Sequence, residues 1–171
     1  MTSTEEQLRR AGLELLGRCD QLAERGPALL HNAALLEGFP PEELDTLGAA
    51  MLRLRARPGQ VLIAEGEVGD WMLLILSGTV DVTKKSGPDE LSRLSVNRQG
   101  TALGERFMFD GAPRYASCTA IDAVEAAVLD RQAVSQLIRE HPTVGAKLLV
   151  KLTQLLAQRL RNTSNQVVRL L

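Results

Sequence analysis

The fold is decided by residues 52–64, Leu-Arg-Leu-Arg-Ala-Arg-Pro-Gly-Gln-Val-Leu-Ile-Ala, where the spacing of the apolar residues changes. Upstream, apolar residues recur at helical spacing. Within this stretch, Leu and Ala alternate with Arg, which predicts a strand with one buried face and one charged face. Pro58-Gly59 then turns the chain, and residues 61–64 form a second apolar strand. The sequence therefore changes here from helix to sheet.

The strand pattern continues downstream and is broken at intervals by glycine, proline and aspartate. Further strands are predicted at residues 71–76, 79–83, 91–96, 115–120 and 124–129, with a polar loop over residues 84–90. Most of these connections are too short for crossover helices, so the strands must be antiparallel. We therefore predict an antiparallel β-barrel or jelly roll of about eight strands.

Helices are predicted on both sides of the barrel. Upstream, leucines from Leu8 to Leu22 have helical spacing, a second helix covers residues 28–36, and a third begins near Pro41. Downstream, Asp130 caps one helix, His141-Pro142 interrupts it, and an amphipathic helix runs from residue 143 to the last residue. The predicted fold class is α+β, mainly β. Residues 1–38 are expected to be an N-terminal helical extension, and residues 39–171 the barrel domain with two C-terminal helices.

Composition argues against several classes of function. The net charge is −1 and aromatic residues make up 3% of the chain, so neither a basic face nor a stacking platform for nucleic acid is expected. No apolar run approaches the roughly 20 residues that span a bilayer. Cys19 and Cys118 lie far apart, and the N-terminus lacks a signal-peptide pattern. We expect a cytoplasmic protein with free, partly buried thiols.

Catalytic and metal-binding patterns are not found in the sequence. We find no Ser-His-Asp or Cys-His arrangement, no P-loop and no paired carboxylates, so no catalytic residue and no enzymatic activity are predicted. His31 and His141 have no partners at ligand spacing, so no metal and no cofactor other than a bound ligand are expected.

Residues 104–117, Gly-Glu-Arg-Phe-Met-Phe-Asp-Gly-Ala-Pro-Arg-Tyr-Ala-Ser, are the strongest candidate for a binding site. They place the carboxylate of Glu105 and the guanidinium of Arg114 on either side of an apolar run and a turn. A carboxylate can accept hydrogen bonds from ribose hydroxyls, and a guanidinium can clamp a phosphate. A ribose cyclic phosphate carries both groups side by side. The alternative is that Glu105 and Arg114 pair with each other or lie in solvent.

The local conformation expected for this segment suits an anion. Residues 106–109 fit one short helical turn, whose free N–H groups would point at the ligand. Gly104 has no side chain and lets a ligand approach closely. The following turn would return Arg114 beside the start of the helical turn.

The segment closely resembles the phosphate-binding cassette of the cyclic nucleotide-binding domain family, which reads Gly-Glu, an apolar run, then Pro-Arg-x-Ala-Ser/Thr. Residues 38–44, 58–66 and 69–78 resemble other family patterns and occur in the family's order. The similarity is to the ligand domain of catabolite activators, without a helix-turn-helix domain in these 171 residues.

The resemblance implies a role for each residue of the cassette. Glu105 would hold the ribose 2′-hydroxyl and Arg114 the phosphate, and the backbone and hydroxyl that follow Arg114 would add contacts. The candidate ligand-binding residues are Gly104, Glu105, Arg106, Arg114, Tyr115, Ala116 and Ser117.

Two cassette residues depart from the family pattern. Arg106 replaces an apolar residue, and either faces solvent or brings a second cation to the phosphate. Tyr115 replaces a small residue where a Thr is associated with guanine in relatives, so its ring either fills that space or stacks on the base. The sequence favours cAMP only weakly over cGMP.

The predicted function is a stand-alone regulatory module that binds a 3′,5′-cyclic mononucleotide and relays it to an unknown protein partner by movement of the C-terminal helices. The alternatives are a nucleotide-free structural or dimerisation domain of the same fold, a binder of a cyclic dinucleotide, and a piece of a DNA-binding regulator. The base-facing candidates, chosen by polarity alone, are Thr153, Gln154, Gln158 and Arg159.

The last helix also carries a leucine stripe close to heptad spacing, which favours a homodimer, although the stripe would equally suit packing on the barrel. It consists of Leu148, Leu149, Leu152, Leu155, Leu156, Leu160, Val167 and Leu170.

Overall fold

The computed structural model describes residues 3–170, apart from the side chains of Phe107 and Leu170. Nine strands in this part of the chain form two sheets, with every pairing antiparallel. The strands are β1 (Glu14–Arg18), β2 (Leu52–Ala56), β3 (Val61–Ile63), β4 (Trp71–Ser77), β5 (Val80–Gly87), β6 (Glu90–Asn97), β7 (Ala102–Leu103), β8 (Ser117–Ala120) and β9 (Val124–Asp130). One sheet has the order β1-β2-β9-β4-β7 and the other β3-β8-β5-β6. The predicted mainly-β jelly roll is confirmed.

Six α-helices flank the sheets in the described residues. They are α1 (Thr4–Arg10), α2 (Pro27–Asn32), α3 (Pro41–Ala49), α4 (Glu105–Asp110), α5 (Arg131–Glu140) and α6 (Pro142–Leu170). The side chain of Asp130 caps α5 by accepting from the N–H of Ala133 at 2.8 Å, as predicted. The break at His141-Pro142 is also confirmed, because α5 ends with His141 as its C-cap. The last residue of the chain lies outside the described residues.

The alternation that decides the fold is present in β2. Leu54 and Ala56 are buried, whereas Arg55 between them is exposed. β2 pairs with β9 in unbroken register, with Leu54 opposite Ala126. The inward residues of β2 therefore meet those of a neighbouring strand on the core side of the sheet.

The five-stranded sheet is covered on both faces. β4 is buried on both sides: Met72 and Leu74 pack with the helices, while Leu73 and Ile75 pack towards the second sheet. Leu148 and Leu152 anchor the first half of α6 in the helical layer. The molecule thus has three layers: helices, five-stranded sheet and four-stranded sheet.

The N-terminal helix predicted through Leu22 is wrong in its second half. Among residues 3–21, the helix covers residues 4–10 alone, and residues 14–18 form β1, an edge strand paired with β2. Gly12 and Gly17 have φ values of +77° and +86°, a conformation that ends a right-handed helix. Residues 1–38 are therefore not a purely helical extension, and the domain boundary near residue 39 stays a prediction.

The polar loop predicted over residues 84–90 is also wrong. β5 continues to Gly87 and β6 starts at Glu90, so the two strands form a long hairpin with a tight turn. Its outer strand is exposed, including Leu91 and Leu94. In residues 3–170, no helix combines the length and apolar character needed to cross a bilayer.

Candidate functional site

α4 is bounded by two glycines in the left-handed backbone conformation, which glycine adopts more readily than any other residue. Gly104, its N-cap, has φ +83°, and Gly111, its C-cap, has φ +66°. A Cβ atom on Gly104 would lie 2.8 Å from Nη1 of Arg114, closer than real contacts allow. The glycine therefore permits both the turn and the approach of the arginine.

Arg114 returns beside the start of α4, as the sequence predicts, and is almost completely buried at 3% exposure. Its Nη1 donates to the carbonyl of Gly104 at 3.0 Å, and its Nη2 donates to the carbonyl of Trp71 at 2.5 Å. The guanidinium carbon lies 4.8 Å from the centroid of the Trp71 ring. β4, the Gly104 turn and the indole ring together fix the orientation of this cation.

The surroundings of Arg114 are unfavourable for its charge in the absence of an anion. Burial lowers the pKa of the guanidinium, and nearby acidic groups, with Cys118 and Asp70 first among them, only partly offset this effect. A phosphate placed against the guanidinium would stabilise its charged form. The electrostatics therefore suit an anionic ligand.

Glu105 is the first residue of α4, and only 1% of it is exposed. Its Oε1 lies 2.6 Å from Nε of Arg159, which comes from α6. This contact is an ion pair, and neither carboxylate oxygen has a hydrogen-bond partner among the described residues. Buried carboxylates normally accept several hydrogen bonds, so Glu105 retains accepting capacity for a ligand hydroxyl.

The residues after Arg114 run along the open side of the site. Tyr115 is exposed, and Nζ of Lys84 lies 4.1 Å from its ring centroid. Its ring thus packs against a lysine of β5 rather than filling the protein interior. The hydroxyl of Ser117 accepts from the N–H of Glu65 at 2.9 Å, so it ties β8 to the loop after β3. Ala116 is half-buried.

The remaining cassette residue, Arg106, is exposed on α4. Its contribution to the ligand site stays a prediction.

Trp71 has a role that the sequence did not reveal. It is buried in the barrel core, and it also contacts Arg114 through both its ring and its carbonyl. Its Nε1 donates to Oε1 of Gln7 in α1 at 3.2 Å. The N-terminal helix is thereby connected to the candidate site. The sequence gives only a weak signal for this, the position of Trp71 directly after Gly69-Asp70.

The last helix approaches the site through one of its four predicted polar candidates. Thr153, Gln154 and Gln158 are exposed, and the hydrogen bonds of Thr153 and Gln158 stay within α6. Arg159 instead contacts Glu105 and donates through Nη2 to the carbonyl of Ala102 at 2.5 Å.

Cys19 and Cys118 are free and buried. Burial raises the pKa of the Cys118 thiol to about 12, and that of the Cys19 thiol in the same direction. Within the described part of the chain, no three His, Cys, Asp or Glu residues are grouped so that they could hold a metal ion.

Comparison with known proteins points to one family. The model of the "Cyclic nucleotide-binding domain" family matches residues 53–141. A cyclic nucleotide-binding domain from Methylobacillus flagellatus is 34% identical, with a TM-score of 0.79 over 93% of this chain and 89% of that chain. The catabolite activator protein of Thermus thermophilus is 28% identical, with a TM-score of 0.73 over 81% of this chain and 63% of that one.

A CRP-like cAMP-activated global transcriptional regulator of Mycobacterium tuberculosis is 30% identical over 143 residues, or 84% of this chain. The match spans 62% of the length of that regulator.

Proposed function

Because the chain belongs to the cyclic nucleotide-binding domain family, we propose that it is a regulatory module without enzymatic activity that binds a 3′,5′-cyclic mononucleotide at Glu105 and Arg114. Glu105 accepts hydrogen bonds from the ribose 2′-hydroxyl, and Arg114 binds the cyclic phosphate. Gly104 allows the ligand to approach, and residues 115–117 add backbone and hydroxyl contacts.

The observation that carries this proposal is the buried carboxylate of Glu105. Both of its oxygens are buried, and neither has a hydrogen-bond partner among the described residues. The ion pair with Arg159 compensates the charge of the carboxylate, but it leaves acceptor positions that a buried carboxylate normally fills. A ribose hydroxyl would supply the donor it lacks, and the phosphate would neutralise the buried cation nearby.

We favour cAMP over cGMP. The Mycobacterium tuberculosis regulator that is similar to this chain is cAMP-activated. This similarity supports the preference for cAMP.

The second candidate is a domain of the same fold that binds no nucleotide. It is favoured by the protein's own contacts at the site: Arg114 donates to two backbone carbonyls, and Glu105 forms an ion pair with Arg159. Both candidates predict the same fold, so only a binding measurement separates them.

Titration calorimetry of the purified chain with cAMP, cGMP and cyclic di-GMP tests the proposal. We expect heat of binding with cAMP, weaker binding of cGMP, and none with the dinucleotide. The mass of any nucleotide that copurifies with the protein provides an independent check. A folded protein that binds neither mononucleotide would support the second candidate, and preference for the dinucleotide would identify a different ligand class.

The output of the module is a change in the C-terminal helices. Ligand binding shifts the balance between two arrangements by its differential affinity for them, and α5 and α6 move about His141-Pro142 to signal to a partner protein. Limited proteolysis with and without cAMP measures this change. We expect the cleavage pattern after residue 141 to differ between the two conditions.

The distal half of α6 is the proposed homodimer surface. Leu148 and Leu152 pack on the core, whereas Leu160 and Val167 are 70% and 52% exposed. The proximal part of the leucine stripe thus belongs to the barrel and the distal part is available to a second copy. Light scattering should show a dimer that Leu160→Glu dissociates, while Asn162→Glu, which is exposed on the opposite side of the same helix, should leave it intact.

A further inference from the structure

The exit segment of the cassette, residues 114–117, is held by residues that lie outside the cassette. The N–H of Arg114 donates to the carbonyl of Glu67 at 2.8 Å, and its carbonyl accepts from the N–H of Gly66 at 2.8 Å. Residues 115–116 belong to no strand of the described chain, so no strand ladder fixes their backbone. A side chain from a neighbouring strand holds it instead.

Lys84, on β5, is the residue that holds this part of the backbone. Its Nζ donates to the carbonyl of Tyr115 at 2.9 Å and lies 4.1 Å from the centroid of the Tyr115 ring. The same Nζ donates to Oε1 of Glu65 at 3.0 Å, while Oε2 of Glu65 accepts from the N–H of Lys85 at 3.0 Å. The ammonium is therefore fixed by a carboxylate, and it contacts both the main chain and the ring of Tyr115.

The pair of Lys84 with Glu65 is partly buried, since the exposed fractions of the two side chains are 31% and 20%. Glu65 also donates its own N–H to the hydroxyl of Ser117 at 2.9 Å. The pair thus contacts the exit segment at two points, the Tyr115 carbonyl and the Ser117 hydroxyl. These two points lie on either side of Ala116.

The contact with Lys84 sets the orientation of the peptide unit between Tyr115 and Ala116. This unit is trans and planar, so its N–H points away from its carbonyl. Because the carbonyl is turned towards β5, the N–H of Ala116 is turned away from Lys84, and it has no acceptor among the described residues. A backbone N–H two residues after the buried Arg114 suits an anionic oxygen.

We propose that Lys84 is a positioning residue for the phosphate site, which fixes the peptide after Tyr115 so that the N–H of Ala116 meets the phosphate bound by Arg114. The inference rests on the proposed function, since it concerns the same cyclic phosphate. It also gives Tyr115 a role, because the ring that replaces a small residue is the surface on which the Lys84 ammonium lies.

Lys84→Met tests this role, because it removes the donor and keeps an unbranched side chain. If the released peptide is oriented correctly about one-tenth of the time, the apparent affinity falls about tenfold. We therefore expect Lys84→Met to bind cAMP about tenfold more weakly than the wild type in titration calorimetry.

Lys85→Met is the matched control, because it removes the same charge from the same strand. Lys85 is exposed, and its bond to Glu65 uses the backbone N–H, which the substitution keeps. This variant should bind cAMP as tightly as the wild type. The comparison separates the contact with Tyr115 from general attraction between the hairpin and an anion.

Two further readouts separate positioning from a loss of stability. Lys84→Arg should bind cAMP within about threefold of the wild type, because a guanidinium also donates to carboxylate and carbonyl oxygens and packs on aromatic rings. In ¹H–¹⁵N spectra at saturating cAMP, the amide of Ala116 should shift strongly downfield in the wild type and much less in Lys84→Met.

The outcomes separate the role of Lys84 from the proposed function. If the wild type binds cAMP and Lys84→Met binds it equally well, or Lys85→Met loses as much affinity, the positioning role is wrong. An equal Ala116 shift in the wild type and Lys84→Met, or no recovery in Lys84→Arg, also contradicts it. If the folded wild type and all three variants bind neither cAMP nor cGMP, the proposed function is wrong and the role of Lys84 is rejected with it.

Discussion

Replacement of Arg114 is the most informative perturbation of the site, because the guanidinium has one role in ligand binding and another in the fold. Its fork is proposed to bind the cyclic phosphate, and it donates to the carbonyls of Gly104 and Trp71. Arg114→Ala removes both roles at once. Its effects on binding and on folding must therefore be measured independently.

The expected loss of binding is large. Removing one partner of a buried charge pair costs about 2–5 kcal/mol, and 1.4 kcal/mol is a factor of ten in affinity. We therefore expect the dissociation constant of Arg114→Ala for cAMP to rise by a factor between about 30 and several thousand. Titration calorimetry at high protein concentration measures this range.

The expected loss of stability is smaller. Two buried carbonyls lose their donors, at about 1–3 kcal/mol each, and removal of a buried charge offsets part of that cost. We expect a net loss of about 1–3 kcal/mol in the free energy of unfolding, measured by urea denaturation without ligand. The variant should remain folded. Its binding of cAMP is then compared with that of the wild type under conditions where both proteins are native.

Arg93→Ala provides the matched control. Arg93 forms a two-point ion pair with Asp81 at 2.8 Å on the hairpin of β5 and β6, and 63% of its side chain is exposed. Its loss should leave cAMP binding within about twofold, since exposed surface pairs contribute little and Arg93 makes no contact with the cassette among its hydrogen bonds. If Arg114→Ala bound cAMP as tightly as the wild type, the assignment of the phosphate site would be wrong.

Three further changes follow from the geometry. Gly104→Ala should lose about 1–2 kcal/mol of stability, because alanine disfavours the left-handed backbone at this position, and it should weaken cAMP binding, because the added Cβ displaces Arg114. Gly111→Ala is the control: a Cβ at Gly111 would meet no neighbouring atom, so this variant should still bind cAMP. Equal binding by the two variants would contradict the prediction. Cys118 should resist iodoacetamide at pH 8 in the native protein and react readily in urea, as mass spectrometry would show, because burial raises its pKa to about 12. The pKa of the Glu65 carboxyl is lowered, first by the hydrogen bond from the Lys85 N–H and then by Lys84. The contribution of Glu65 to stability is therefore present above about pH 4.3 and lost as the pH falls through the lowered value. In urea unfolding, the stability of Glu65→Gln should approach that of the wild type below that pH, and a difference that stays constant with pH would refute this prediction.

The sequence predicts the barrel well because its signals there are local. The alternation from Leu52 to Ala56 and the turn at Pro58-Gly59 each depend on neighbours a few residues apart. The cap at Asp130 and the break at His141-Pro142 are equally local. These elements lie where the sequence places them.

The errors arise where local spacing is ambiguous. The leucines before Leu22 fit a helix, but the left-handed glycines Gly12 and Gly17 divide them between α1 and β1. The two-residue strand β7 is too short for any periodic pattern to indicate. The polar composition of residues 84–90 suggested a loop, yet an exposed hairpin is built from the same polar residues.

The candidate site shows the same division. Glu105 and Arg114 are predicted from one continuous segment, and the structure brings both to the start of α4. The contacts of Arg159 with Glu105 and of Gln7 with Trp71 join residues that lie far apart in the chain. Such pairs depend on how the helices pack over the barrel, so no local spacing in the sequence indicates them.

The placement of Trp71 has a practical consequence. It is the single tryptophan of the chain, and its indole lies against the guanidinium proposed to receive the phosphate. The tryptophan fluorescence of the unmodified protein therefore originates from one position inside the candidate site. Ligand occupancy can be followed through its emission without a dye, and stopped-flow mixing would give the association and dissociation rates directly.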